Sequence, residues 1–195
     1  MILPIVAYGD PILRKMGEEI TPDFEDLSGL IDNMFETMYK AHGVGLAAQQ
    51  IGKALRLFVI DAAPFADDEE LSKEEIEFLK SFKRFYINPV IIEESGEEWP
   101  FNEGCLSIPG INEDVFRFET IKIQYQDLDF NTHEEILTGL AARIFQHEYD
   151  HIEGVLFTDH LSGLKKRLLK KKLENITKGI ADAAYRMRFP KAKRK

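Results

Sequence analysis

The stretch "GLAARIFQHEYDHIEG", residues 139–154, decides how the chain is read. A helix is predicted from near Thr138 through Glu153, and Gly154 stops it as a C-terminal glycine would. Residues i and i+4 of a helix lie one turn apart on the same face. His147 and His151 can therefore both turn an imidazole nitrogen toward one ion. Glu148, one residue round, can reach a water on that ion, which is the physical content of an HExxH motif. The preceding turns are apolar (Leu140, Ala141, Ala142, Ile144, Phe145), which places the helix in the interior. Buried imidazoles and carboxylates need partners, and a metal is an efficient one. The competing reading is a partly exposed helix face with two unrelated histidines.

Outward from this helix the chain reads as α+β: mixed or antiparallel strands packed around a central HExxH helix, with a long C-terminal helix. "MILPIVAYGDPILRKMG" begins as a strand and turns at Gly9-Asp10-Pro11. Residues 23–41 carry Phe24, Leu27, Leu30, Ile31, Met34, Phe35 and Met38 at helical spacing. "HGVGLAAQQIG" is too rich in glycine to continue that helix and reads as a loop or short extended segment. "LRLFVID" (55–61), "RFYINPVIIEES" (84–95), "TIKIQYQDLD" (120–129) and "HEEILTG" (133–139) read as strands. Residues 62–84 read as an acidic surface insertion with a short helix, because Ser72 and Glu75 have capping-box spacing. The last element sets Leu161, Leu164, Leu168, Leu169, Leu173 and Ile176 on one stripe packed against the body. No repeat or linker divides residues 1–195, so a single domain is expected.

Composition narrows the function classes. No run of about 18 apolar residues suggests a membrane span, and the N-terminus resembles neither a secretory signal nor a transit peptide. A cytoplasmic monomer without a membrane partner is the expectation. The one cysteine, Cys105, excludes an intramolecular disulfide and fits a reducing compartment. Residues 160–195 hold 13 Lys and Arg against 2 Asp and Glu, whereas residues 1–159 hold 12 against 32. The basic C-terminal helix and tail suit a polyanion, or simply a solvated face.

Two histidines leave a catalytic site short of a ligand, since such sites have three protein ligands and an open position. A metzincin-like continuation would need His at 157, where Phe stands, and the later helix offers only Glu174 among lysines. Upstream, "NEGCLSIPG" (102–110) holds the only thiol in a turn. A thiolate there would complete a Cys-His-His site.

"GVGLAAQQ" (43–50), "EGCLS" (103–107) and "QHEYDHIEG" (146–154) resemble, in order, the three signature motifs of peptide deformylases, and "YGDPILR" resembles that family's N-terminal turn. The resemblance spans most of the chain. It implies removal of formyl from the N-terminal formyl-methionine of nascent polypeptides. It implies Cys105, His147 and His151 as ligands of one divalent metal, Fe2+ with Zn2+, Ni2+ or Co2+ as substitutes. It implies Glu148 as general acid and base, with the Gln50 amide and Leu106 N–H as oxyanion donors. Formyl-methionine needs a mostly apolar pocket, for which Val44, Leu140 and Ile144 are candidates. Arg143 is expected to line it with its stem while its head reaches solvent. Gly43, Gly45 and Gly104 are expected to admit the substrate backbone as an added edge strand. Glu103 and Arg117 are either a pair orienting the Cys105 loop or a plain surface ion pair. His42, His133 and His160 are expected to do no chemistry, and the basic helix is a candidate ribosome contact. The rival readings are an HExxH peptidase indifferent to Cys105, and an RNA-binding module whose structural metal takes a fourth ligand, for which His160 is the only nearby candidate.

Overall fold

The computed structural model describes residues 1–68 and 70–190. Its elements in chain order are β1 (Ile5–Val6), α1 (Leu27–Lys40), β2 (Gly45–Ala47), β3 (Leu57–Asp61), α2 (Lys73–Ser81), β4 (Lys83–Cys105), β5 (Ile108–Gln126), β6 (Thr132–Thr138), α3 (Gly139–Ile152), α4 (Gly163–Thr177) and β7 (Met187–Arg188). Strands β2-β3-β4-β5-β6 form a five-stranded antiparallel sheet in that order, and β1 and β7 pair in parallel. The α+β architecture with a central HExxH helix and a C-terminal helix is the one the sequence predicts. No helix among the described residues is long and apolar enough to cross a membrane.

Strand β3 shows why the sheet is central. Successive side chains of a strand point to opposite faces. Phe58 and Ile60 join a cluster with Ala141, Ala142, Ile144 and Phe145 of α3. Leu57 and Val59 join a second with Leu30, Ile31, Met34 and Met38 of α1. A helix covers each face, so β3 reads as a continuous apolar run rather than an alternating one. The α1 stripe begins at Leu27 rather than at residue 23, because Asp26 caps the helix by accepting a hydrogen bond from the Gly29 N–H.

Three expectations are corrected. Strands β4 and β5 run far beyond the predicted segments and form one long bulged hairpin that carries the Cys105 turn at its end. The α4 stripe divides: Leu169, Leu173 and Ile176 are buried, but Leu164 and Leu168 are 66% and 71% exposed. Leu164 and Leu168 lie one turn apart on a side of α4 that the body does not cover. The 62–84 stretch is only partly surface. Its capping box forms as predicted, Ser72 and Glu75 exchanging hydrogen bonds, but Ala62, Ala66, Leu79 and Phe82 are buried in the core with the α3 residues.

Candidate metal centre

The hairpin end and α3 deliver the three predicted donors to one place. Cys105 is the last residue of β4 and faces Ile108 across the two-residue turn Leu106-Ser107. Its Sγ and ring nitrogens of His147 and His151 all lie within 4.8 Å of one another. The Cys105 Sγ is 3.3 Å from His151 Nε2. His147 turns Nδ1 to the Glu103 carboxylate at 2.9 Å, leaving Nε2 for the cluster. A carboxylate behind a histidine in this way fixes its tautomer and ring orientation.

Glu103 is the hub of that support. It accepts hydrogen bonds from Arg117 Nε at 2.8 Å and Nη2 at 3.0 Å, and from Arg143 Nη1 at 3.1 Å. Arg117 also donates to Asp150 at 2.7 Å, and His160 meets the same Asp150 oxygen. Glu103 and Arg117 are each only 5% exposed, so the surface-pair alternative does not hold. Burial pushes the Glu103 carboxyl up, but His147 and Arg117 outweigh it and hold it well below the usual carboxylate range.

The donor set fits a soft or borderline divalent cation, for which thiolate and imidazole are suitable ligands. Burial pushes the Cys105 thiol up, and His151 and His147 bring it down to about 5. Burial lowers the His147 pKa, but Cys105 and Glu103 raise it well above the ordinary value. The raised His147 pKa describes an imidazolium paired with the Cys105 thiolate, and a bound cation would take the place of that proton. Glu148, buried beside them, has Oε2 without a hydrogen-bond partner, as has His151 Nδ1. Burial raises the Glu148 carboxyl and the two histidines restrain it, leaving about 7. His160 is paired with Asp150, and the cluster among the described residues has three donors, not the four of a closed structural site.

Gln50 has its amide oriented. Its Oε1 accepts from the Ala47 N–H at 2.8 Å, which aims Nε2 at Cys105 Sγ (3.5 Å) and Ser107 Oγ (3.4 Å). A cleft of about 490 Å³ opens over the cluster. Val44, Gly45, Gly104, Leu106, Arg143 and Ile144 line it, as do Gln50, Cys105, His147 and Glu148. A Cβ at Gly45 would overlap the Glu148 carboxylate, and one at Gly104 would meet the Asn112 side chain at 2.7 Å. These two glycines therefore admit neighbouring side chains of the protein itself.

Two pocket expectations are corrected. Leu140 lines a separate cavity of about 410 Å³ with Trp99 and Phe78. It lies seven residues before His147, about 10 Å along the helix axis, which takes it past the cleft. The Arg143 head does not reach solvent: the residue is 2% exposed. Its guanidinium is held by Glu103, by the Val115 and Trp99 carbonyls, and lies 4.4 Å over the Trp99 ring. His42 lines the cleft mouth, and His133 pairs with Asp127 on the exposed β6 side. Sequence reasoning missed Phe65, Phe101 and Tyr185 as cleft residues. Phe65 lay in a presumed insertion, and Tyr185 in a segment without periodic pattern.

The polypeptide deformylase family model matches residues 2–167. A peptide deformylase of Christiangramia forsetii is 59% identical over 194 residues, covering 100% of this chain and 99% of the relative. One of Flavobacterium johnsoniae is 60% identical with the same coverage. Among solved structures, the peptide deformylase of Plasmodium falciparum superposes with a TM-score of 0.78 at 37% identity, over 90% of this chain and 95% of that one. That of Thermotoga maritima gives 0.72 at 40% identity, over 83% and 99%. The chain belongs to the polypeptide deformylase family, metal-dependent hydrolases that remove the formyl group from the N-terminal formyl-methionine of newly made polypeptides.

Proposed function

We propose that Cys105, His147 and His151 hold the metal, that Glu148 is the general acid and base, and that Gln50 Nε2 and the Leu106 N–H are the oxyanion donors. The observation that carries this reading is the convergence of one thiol and two imidazoles within 4.8 Å, beside the buried Glu148 and at the floor of the cleft. Fe2+ is the proposed native ion, with Zn2+, Ni2+ or Co2+ able to replace it.

A formamide is a poor electrophile and water near neutral pH a poor nucleophile. When bound, the cation supplies Lewis acidity to both. Glu148 takes the proton of the attacking water and delivers it to the amine as the C–N bond breaks, releasing formate and a free N-terminus. Burial raises the Glu148 carboxyl and a bound cation would lower it again, so the same group can take up and return a proton. Gln50 Nε2, aimed by its own bond to Ala47, and the Leu106 N–H donate to the oxygen that gains charge as water adds. Strand β2 is an edge of the sheet and borders the cleft, which supports docking of the substrate backbone alongside it. Val44 and Ile144 offer apolar contact to the methionine side chain, with Arg143 as a fixed wall.

The test is formate release from a formyl-methionyl tripeptide by iron-loaded protein under argon, beside Glu148→Ala and Cys105→Ala. Release by the parent and near-silence in both variants is expected. Full activity in Cys105→Ala would return the site to a two-histidine hydrolase. We further read residues 1–195 as one domain acting as a cytoplasmic monomer, with the basic α4 face as a ribosome contact.

A further inference from the structure

We propose that Tyr185 is a positioning residue for the reaction, pinning the turn that carries Cys105 and Leu106; the idea rests on the roles given to those two residues above. The turn is held from inside by Gln50, which reaches Cys105 Sγ and Ser107 Oγ. From outside it is held by the two ends of the chain. The Tyr8 N–H, just after β1, donates to the Ser107 carbonyl at 2.9 Å. The Tyr185 hydroxyl, just before β7, donates to the Leu106 carbonyl at 2.8 Å. Strands β1 and β7 are themselves paired, with the Ile5 N–H donating to Arg186 O and the Ala7 N–H to Arg188 O, both at 2.9 Å. The chain ends thus form a clamp with one finger on each carbonyl of the two-residue turn.

The geometry says why one hydroxyl matters. Peptide units are planar, so the Leu106 N–H and the Leu106 carbonyl belong to two rigid planes that hinge only at the Leu106 Cα. Fixing the carbonyl anchors the plane on one side of that hinge together with the Leu106 Cα, so the N–H and Cys105 Sγ can shift only by rotation of the plane on the other side. Positioning of this kind acts on rate, since small displacements of a catalytic group are costly. Tyr185 also lines the cleft together with Asp182, Ala183 and Ala184, so a plain wall role is the alternative. Residues 182–185 lie past residue 167, where the family match ends, and nothing in the shared motifs points to them.

The test is Tyr185→Phe in the full chain, which keeps the ring and removes the hydroxyl. The backbone bonds of β7 remain to hold the segment in place. With cobalt-loaded protein and a formyl-methionyl tripeptide, kcat is expected to fall about tenfold, the rate equivalent of one neutral hydrogen bond. KM is expected to stay within about twofold, because no substrate contact is removed. The cobalt–thiolate absorption band is expected to shift. In metal-free protein, amide exchange at Leu106 and Ser107 is expected to quicken. Parent-like kcat, band and exchange would overturn the proposal, and a raised KM with unchanged kcat would reduce Tyr185 to a wall. If the parent itself binds cobalt but releases no formate, the activity reading fails, and the band and exchange rates alone decide whether Tyr185 pins the turn.

Discussion

A guanidinium buried as Arg143 is has to be neutralised where it lies. Glu103 does so while also accepting from Arg117 and meeting His147, so one carboxylate serves two cations and a histidine of the candidate metal centre. Arg143→Leu is expected to destabilise the protein, by less than the roughly 3–5 kcal/mol typical of breaking a buried pair, because Arg117 and His147 remain. Urea unfolding would measure it, with metal affinity as the second readout. The proposed oxyanion donors invite a different substitution. Gln50→Ala removes the one side-chain donor aimed by the Ala47 bond, and kcat is expected to drop roughly 100- to 1,000-fold. Gly45→Ala is a steric test: the added methyl would press on the Glu148 carboxylate, so activity should fall about 100-fold while far-UV circular dichroism stays the same. Unchanged turnover in Gly45→Ala would mean that Glu148 can move without penalty.

At the level of elements, most of what the sequence conveyed was periodic. The α1 stripe, the apolar run of β3, the capping box of α2 and the glycine stop of α3 each follow from spacing alone, and each sits close to its expected place. The long hairpin was not legible. Gly96 and the Gly and Pro of residues 104–110 look like breaks, yet the ladder continues past them because bulges between Ser95 and Glu98 and at Gly104-Cys105 absorb the irregularity. Gly96 has φ +81, a conformation that a side chain resists, so it bends the strand without ending it. The convergence of Cys105, His147 and His151 was legible because thiols and paired histidines are rare in this chain. Placement along α3 was not legible: Arg143 reads as a solvent-seeking charge and Leu140 as pocket lining beside Ile144, yet the first is buried and the second lines a separate cavity. Gly154 allows the helix stop to be tested. It has φ +74, and a Cβ there would meet the Arg14 backbone oxygen at 2.7 Å. Gly154→Ala is expected to lower stability by more than the roughly 1 kcal/mol a compatible glycine replacement gains. A thermal midpoint equal to the parent's would show that the Arg14 backbone yields.

Across the whole molecule, charge is segregated, and α4 carries much of the positive share. Lys170, Lys171 and Lys172 are exposed on it, whereas Leu169 and Leu173 beside them are buried. Deleting the helix would therefore damage the core as well as the charge. The combined variant Lys170→Glu, Lys171→Glu, Lys172→Glu separates the two. It is expected to weaken ribosome co-sedimentation, with a shallower dependence on salt, and to leave formate release from a short peptide unchanged. Undiminished co-sedimentation would remove α4 as the contact.

The clamp formed by β1 and β7 also has a kinetic side. Ile5 pairs with Met187, so this contact closes a loop of nearly the whole described chain. Such closure is entropically costly, though each doubling of loop length adds only about 0.6 kcal/mol, and distant contacts tend to form after local ones. The hairpin bearing Trp99 is local by comparison. In refolding from urea, tryptophan fluorescence should recover first and formate-releasing activity should lag behind it. Enzyme activity would then report the joining of the two termini, a step that most optical probes of this fold would miss.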